Sequence, residues 1–302
     1  MVSTTPPTMS SPVEVARGLP RWLRLVQAWP LVPMLILVPL ILVALGAGVI
    51  APYDPTQPVP GAKIYAPPFW MQGGSMHALL GTDFQGRDIL SRLLFGARVS
   101  LIVGVMGTLV AGSLGTALGI LAGYLGGWVD DQVIMRVTDA WLALPALVFA
   151  IFLATMLGPS MWNIIIILGL VYWTRYARVI RGEVLSLRER EFVKLAEIAG
   201  ARRWRVMRRH ILPNVLNTTM VLASLTIGVV IIAEATLSFL GVGVPPPQPA
   251  WGSMLAEARS TLMAGKWWLT VWPGLCILLV VLATQLCGDW LRVRLDPQLR
   301  NL

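Results

Sequence analysis

The sequence predicts an all-α fold, a polytopic membrane protein with six transmembrane helices. Three observations predict it. Only 13% of the 302 residues are charged and 56% are hydrophobic, whereas soluble domains carry about 25% charged residues. Six apolar runs recur along the chain, and about 20 apolar residues suffice to cross a bilayer. Finally, basic residues collect in the segments beside these runs, as the positive-inside rule expects. The same placement argues against nucleic acid as the partner of the +9 net charge.

Residues 1–29 read as a polar N-terminal tail ending in the basic residues Arg17, Arg21 and Arg24. The first run, Leu31–Ile50, is long enough for a span. A cleaved signal peptide is the competing reading, disfavoured by the length of the run and by the spans that follow. Residues 30–97 combine this span with a polar, proline-rich segment. The second run, Leu101 to Leu125, holds Gly104, Gly107, Gly112, Gly115 and Gly119. Small residues at three-to-four spacing allow helix backbones to approach closely in lipid. A third span is expected over 139–157, a turn at Gly158-Pro159-Ser160, and a fourth span over 161–176. A loop over 177–214 follows, then spans at 215–240 and 268–286, separated by a proline-rich segment, 241–267. Residues 292–302 form a C-terminal tail, and 98–291 form the main transmembrane domain.

An even number of spans puts both termini on one side, and charge chooses it. Between Arg175 and Asn214 eleven Arg or Lys oppose four Glu, while the 51–97 and 241–267 segments are nearly balanced. Both termini and the 177–214 loop are therefore expected in the cytoplasm.

Catalytic signatures are lacking. The sequence contains no GxxxxGK[ST] phosphate loop and no HExxH. His77 and His210 are its only histidines and are expected on opposite sides of the membrane, so neither a zinc site nor a His-based triad is expected from this chain alone. Cys276 and Cys287 lie eleven residues apart in one run, too far for a disulfide within a helix.

The loop is the informative segment. Phe192, Leu195, Ala196 and Ala199 fall on one helical stripe. Gly200 suits the left-handed conformation that ends helices. A second short helix would carry Trp204, Met207 and Ile211 on one face amid arginines, with Pro213 marking the start of the fifth span. Two readings fit this pattern: a docking element for another protein, or helices lying on anionic lipid.

Gly200-Ala201 and, nine residues on, His210-Ile211-Leu212-Pro213-Asn214 resemble the cytoplasmic loop of ABC-importer permeases. The family's loop usually opens with Glu-Ala-Ala; here Lys194, Leu195 and Ala196 stand there, so only the last alanine matches. Three further segments are similar to the second permease of the dipeptide, oligopeptide and nickel importers. They are Leu80-Gly81-Thr82-Asp83 with Gly86 to Leu93 and Gly96 to Leu101, Ser238 to Gly243 with Trp251-Gly252, and Gly288 to Arg292 with Leu295-Asp296-Pro297.

The resemblance implies a type I ABC-importer transmembrane domain, importing dipeptides or oligopeptides, or else glutathione or nickel. It implies a homologous permease as partner, two ATPase subunits that bind ATP and magnesium, an extracytosolic binding protein, surrounding membrane lipid, and no cofactor in this chain. It places ATPase coupling at Lys194, Leu195, Ala196, Gly200, Ala201, His210, Pro213 and Asn214. Glu234 and Ser238 are candidates for the pathway or the subunit interface, with a structural hydrogen bond as the plainer reading. Asp83, Arg87 and Asp88 are candidates for binding-protein contact or for an internal clasp. A gradient-driven transporter is the competing function; its usual pointer, paired interrupted helices, is not evident.

Overall fold

The computed structural model describes residues 31–295. The basic residues Arg17, Arg21, Arg24 and Arg300, the whole of the 1–29 tail and residues 296–302 of the C-terminal tail lie outside that range. Among the described residues there is no strand, only two isolated bridges near Arg87 and Asp88.

Among the described residues, five helices are long and apolar enough to cross a membrane. The first, α1 (Leu31–Ile50), is peripheral, with most of its apolar side chains exposed to the surroundings. It is fastened by Arg98, whose guanidinium donates to the carbonyls of Ala44 and Leu45, both at 2.9 Å. The second, α2 (Ile89–Leu125), runs for 37 residues, about 55 Å at about 1.5 Å per residue. It joins the amphipathic stretch before residue 101 to the span after it, so a domain boundary at residue 97 falls within one helix. Its start is set by Asp88, which caps the helix by accepting from the Ser91 N–H at 2.8 Å and the Ser91 hydroxyl at 2.7 Å.

The third expected span is not straight. A π-helical turn, Val129–Ile134, leads into α3 (Met135–Leu142), and α4 (Ala146–Leu157) departs from it at 95°. Pro145 lies at the bend. It has no N–H to donate and disfavours helical geometry in the residue before it. Counting the bent pair as one span brings the total to six.

The fourth span also differs from expectation. Helix α5 (Met161–Arg188) continues twelve residues past Tyr176, so the expected loop begins as helix. The short α6 (Glu191–Ile198) and α7 (Arg203–Val206) follow. A second π turn, Met207–Ile211, merges directly into α8 (Leu212–Phe239). Pro213 therefore sits in the first turn of a continuing helix instead of stopping one. The π turn accommodates its missing donor, and the Asn214 side-chain amide donates to the His210 carbonyl at 2.6 Å.

The 241–267 segment hides a helix, α9 (Trp251–Ala258), and α10 (Trp268–Leu295) ends the described chain. Trp251 is fully enclosed and donates from Nε1 to the Leu93 carbonyl at 3.1 Å. Trp268 is buried in the same cluster.

The glycines of α2 explain the centre of the bundle. A Cβ added at Gly115 would lie 2.2 Å from the Trp173 carbonyl oxygen, one at Gly119 2.8 Å from that of Ala177, and one at Gly123 2.8 Å from that of Arg181. Three turns of α2 thus touch the α5 backbone directly. Gly104 and Gly107 face α8 at Ile231 and Val230. In lipid there is little hydrophobic drive between helices, and such close approach replaces it with dispersion contacts.

Candidate functional site

Two constructions stand out at opposite ends of the bundle. At the arginine-rich end, α6 and α7 pack beneath α2, α5 and α8. Val193, Val206 and Ile211 are fully buried there against Tyr124, Ile180 and Val184. The turn between α6 and α7 is fixed by hydrogen bonds of the Schellman type. The Gly200 N–H donates to the Glu197 carbonyl at 2.9 Å and the Ala201 N–H to the Ala196 carbonyl at 3.0 Å. Gly200 has φ +78°, a conformation that a Cβ would strain. Ala196 and Ala201, which flank this turn, both lean on the buried cluster. Tyr124 of α2 donates its hydroxyl to Glu197 at 2.7 Å. Arg181 holds Asp130 through two bonds of 2.6 Å, tying the first π turn to α5.

The apolar positions of α6 are divided between its two sides. Val193 is the buried member of α6 and Ala196 is half-buried, whereas Leu195 is 64% and Ile198 82% exposed. Phe192 is exposed too and packs one ring edge toward His210, with centroids 6.4 Å apart. Lys194, in place of the family's usual glutamate, reaches back to Glu189 at 2.8 Å. Its hydrogen bond holds the Glu189 carboxyl below the usual carboxylate range. Pro213 and Asn214 are exposed on the first turn of α8. The eight expected coupling residues thus gather at one end, and α6 offers outward an apolar ridge, Leu195 and Ile198, flanked by charge. Beside it, a cavity of about 790 Å³ is lined by Glu183, Asn214, Asn217, Thr218 and Arg292.

At the other end, Asp83, Arg87 and Asp88 turn inward; each is at most 5% exposed. Asp83 accepts from Arg87 Nε at 2.6 Å and from the Gln85 and Arg87 N–H groups, and also pairs with Arg92. Glu257 of α9 closes the cluster, 2.6 Å from Arg92 and 3.2 Å from Arg87. Two carboxylates meet two guanidiniums, so the buried charges cancel. Burial pushes the Asp88 carboxyl above the usual range, with the Ser91 hydrogen bonds opposing. Glu257 is the member that sequence reasoning missed. A stripe of Trp251, Met254 and Ala258 could have revealed its helix.

Glu234 and Ser238 are enclosed within the chain. Glu234 has no exposed surface and accepts from the hydroxyls of Ser100 on α2 at 2.9 Å and Ser238 at 2.8 Å. The Val244 N–H in turn donates to Ser238 Oγ at 3.3 Å. The carboxylate therefore joins α2, α8 and the following turn. Among the described residues no cluster of three metal-ligating side chains occurs.

Comparison with known proteins places the geometry. A family described as the binding-protein-dependent transport system inner membrane component matches residues 115–301. The chain is 44% identical over 259 residues to the dipeptide transport system permease protein of Escherichia coli, covering 86% of this chain and 85% of that one. It is 41% identical over 268 residues to the di/tripeptide transport system permease protein of Pseudomonas aeruginosa, covering 89% and 88%. A glutathione transport system permease protein of Pectobacterium atrosepticum is 42% identical over 230 residues, 76% of this chain and 76% of that one.

Proposed function

The chain belongs to the family of binding-protein-dependent transport system inner membrane components, and from that premise we propose that, as a permease subunit of an ABC importer, it carries dipeptides into the cytoplasm. The observation that carries the coupling half of this reading is the α6 ridge. Leu195 and Ile198 stand exposed on a helix whose opposite side is fixed by Val193, the Gly200 turn and the Tyr124 bond. Exposed apolar ridges rimmed by polar residues mark protein contacts. The rigid backing lets force applied to the ridge reach the bundle.

The arginine-rich end faces the cytoplasm, as the excess of basic residues requires, and an ATPase subunit seats on α6. ATP and magnesium are bound by two such subunits. A homologous permease supplies the other half of the pathway, and an extracytosolic binding protein delivers the peptide. This chain contributes spans and a docking ridge; hydrolysis belongs to its partners. Alternating access follows when ATPase closure draws the two docking ridges together and reorients the helices behind them.

The substrate class rests on the dipeptide and di/tripeptide permeases that the chain resembles at 41–44% identity. Glutathione, itself a tripeptide, is the second reading, on the strength of the 42% identical glutathione permease. The deciding experiment reconstitutes the chain with its partner permease, ATPases and binding protein in vesicles. Labelled dialanine should accumulate with ATP and the binding protein, and not with an ion gradient alone. Accumulation driven by a gradient without ATPases would overturn the reading.

A further inference from the structure

The 95° elbow between α3 and α4 frames an open-sided cavity of about 270 Å³ against α5. Trp141, Pro145, Phe149, Tyr172, Thr174 and Arg175 line it. Thr174 is the fourteenth residue of α5, about 20 Å along the helix from Met161 and so within the roughly 30 Å hydrocarbon layer.

The polar side chains that line it are all hydrogen-bond donors or can act as donors. Thr174 has no exposed surface and its hydroxyl has no partner. Trp141 Nε1, which can only donate, is likewise buried without a partner. The first turn of α4 starts at the cavity wall, and its cap Pro145 supplies no side-chain bond, so its leading N–H groups lack intrahelical acceptors. Arg175, an exposed residue at the rim, lies over the Tyr172 ring, 5.2 Å from its centroid, and pairs with no carboxylate among the described residues. The nearby Asp139 is taken by Arg178 at 2.6 Å. Donors left unmatched at membrane depth are costly. A positive helix end, a guanidinium, a hydroxyl and an indole N–H are together complementary to one thing, an oxyanion. The interrupted helix that supplies the free N–H groups is also the arrangement by which transporters meet anionic groups in the bilayer. The aromatic walls, Trp141, Phe149 and Tyr172, suit the side chain next to that anion, and the cavity has room for the end of a peptide and little more.

We propose that this elbow is an intramembrane carboxylate site that receives the C-terminus of the transported peptide, through Thr174, Trp141, Arg175 and the first N–H groups of α4. The proposal rests on the peptide-import reading above.

The test uses the complete transporter in nanodiscs with 5-fluorotryptophan incorporated, the Trp141 resonance being assigned by its loss in Trp141→Phe. Dialanine should shift that resonance saturably, and dialanine amide, which lacks the carboxylate, should not. Arg175→Gln and the isosteric Thr174→Val should each weaken the dialanine response by about tenfold or more, the size expected for a charge-assisted bond, and Arg175→Lys should recover part of it. An equal response to the amide, or no shift in a preparation that transports dialanine, overturns the site. A Trp141 shift produced by exchanging phosphatidylcholine for phosphatidylglycerol, and unaltered by dialanine, assigns the anion to a lipid headgroup and also overturns it. Failure of the wild-type preparation to transport dialanine at all would instead overturn the import reading.

Discussion

Removing the apolar ridge of α6 should uncouple the chain from its ATPase without unfolding it. Full burial of a leucine or isoleucine side chain stabilises by about 1.5–3 kcal/mol. Leu195 is 64% exposed and Ile198 82% exposed, so docking has most of that still to gain. Scaled by exposure, the pair contributes about 2–4 kcal/mol to association, or about 30- to 1,000-fold in affinity at about 1.4 kcal/mol per decade. Leu195→Ser/Ile198→Ser forfeits nearly all of it. The measurement is a titration of the purified ATPase subunit against the permease pair in detergent, read by fluorescence polarisation. Because neither side chain belongs to the buried cluster beneath α6, the thermal midpoint of the permease should stay within a degree or two of wild type. Val193→Ala, which empties a buried position, should do the reverse and lower the midpoint. ATPase affinity within about threefold of wild type in the double variant would refute the assignment of the ridge.

Four other outcomes follow from the geometry. Gly200→Val places a β-branched residue at φ +78°, costing about 1–2 kcal/mol; ATP-driven uptake should fall several-fold while membrane insertion persists, and unchanged uptake would count against the turn's role. Gly115→Ala forces a methyl to within 2.2 Å of the Trp173 carbonyl oxygen and should destabilise by about 1–3 kcal/mol, whereas Gly182→Ala on α5 meets nothing within 4 Å and should be neutral in the same thermal assay. Glu257→Gln leaves two buried guanidiniums facing Asp83 alone; a loss of about 3 kcal/mol is expected, and the double variant with Arg87→Gln should lose less than the sum of the two single changes. Asp88→Ala should cost about 1 kcal/mol through the lost cap. Asp88→Asn keeps an acceptor and removes the buried charge. Burial raises the Asp88 carboxyl in the folded chain, so the native state holds its proton to higher pH than the unfolded state, and this group's contribution to stability declines as pH rises from about 4 through the raised value. Asp88→Asn should abolish that slope, as read from thermal midpoints over pH 4–7.

The spans were legible because a run of about 20 apolar residues has few other uses, and the run Leu31–Ile50 is helical throughout. The glycines of α2 were legible for a similar reason, since their spacing implies a helix face before any partner is known. The elbow at Pro145 was not, because proline is common in straight membrane helices and only the neighbouring packing shows that this one turns the chain by 95°. Helix α9 was masked by the preceding prolines, and with it Glu257, which meets Arg92 across 165 positions of sequence. No local pattern encodes such a pairing. The α6 stripe shows a different limit. Periodicity identifies an apolar face but not what covers it, and the Leu195 and Ile198 side of α6 is exposed.

One helix relates the two ends of the molecule. Helix α2 has no proline among its 37 residues, and its glycines, where flexure would otherwise concentrate, are wedged against α5 and α8. Asp88, which caps its start, adjoins the Arg87–Asp83–Glu257 cluster, and Tyr124 at its far end grips Glu197 of α6. Such a helix acts as a pushrod. Displacing its Tyr124 end displaces its Asp88 end in the same stroke, so a shift of α6 reaches the Arg87–Asp83–Glu257 cluster as a rigid displacement. The α3–α4 pair, bent by 95° beside Pro145, lacks that continuity and carries no such straight line between the two ends.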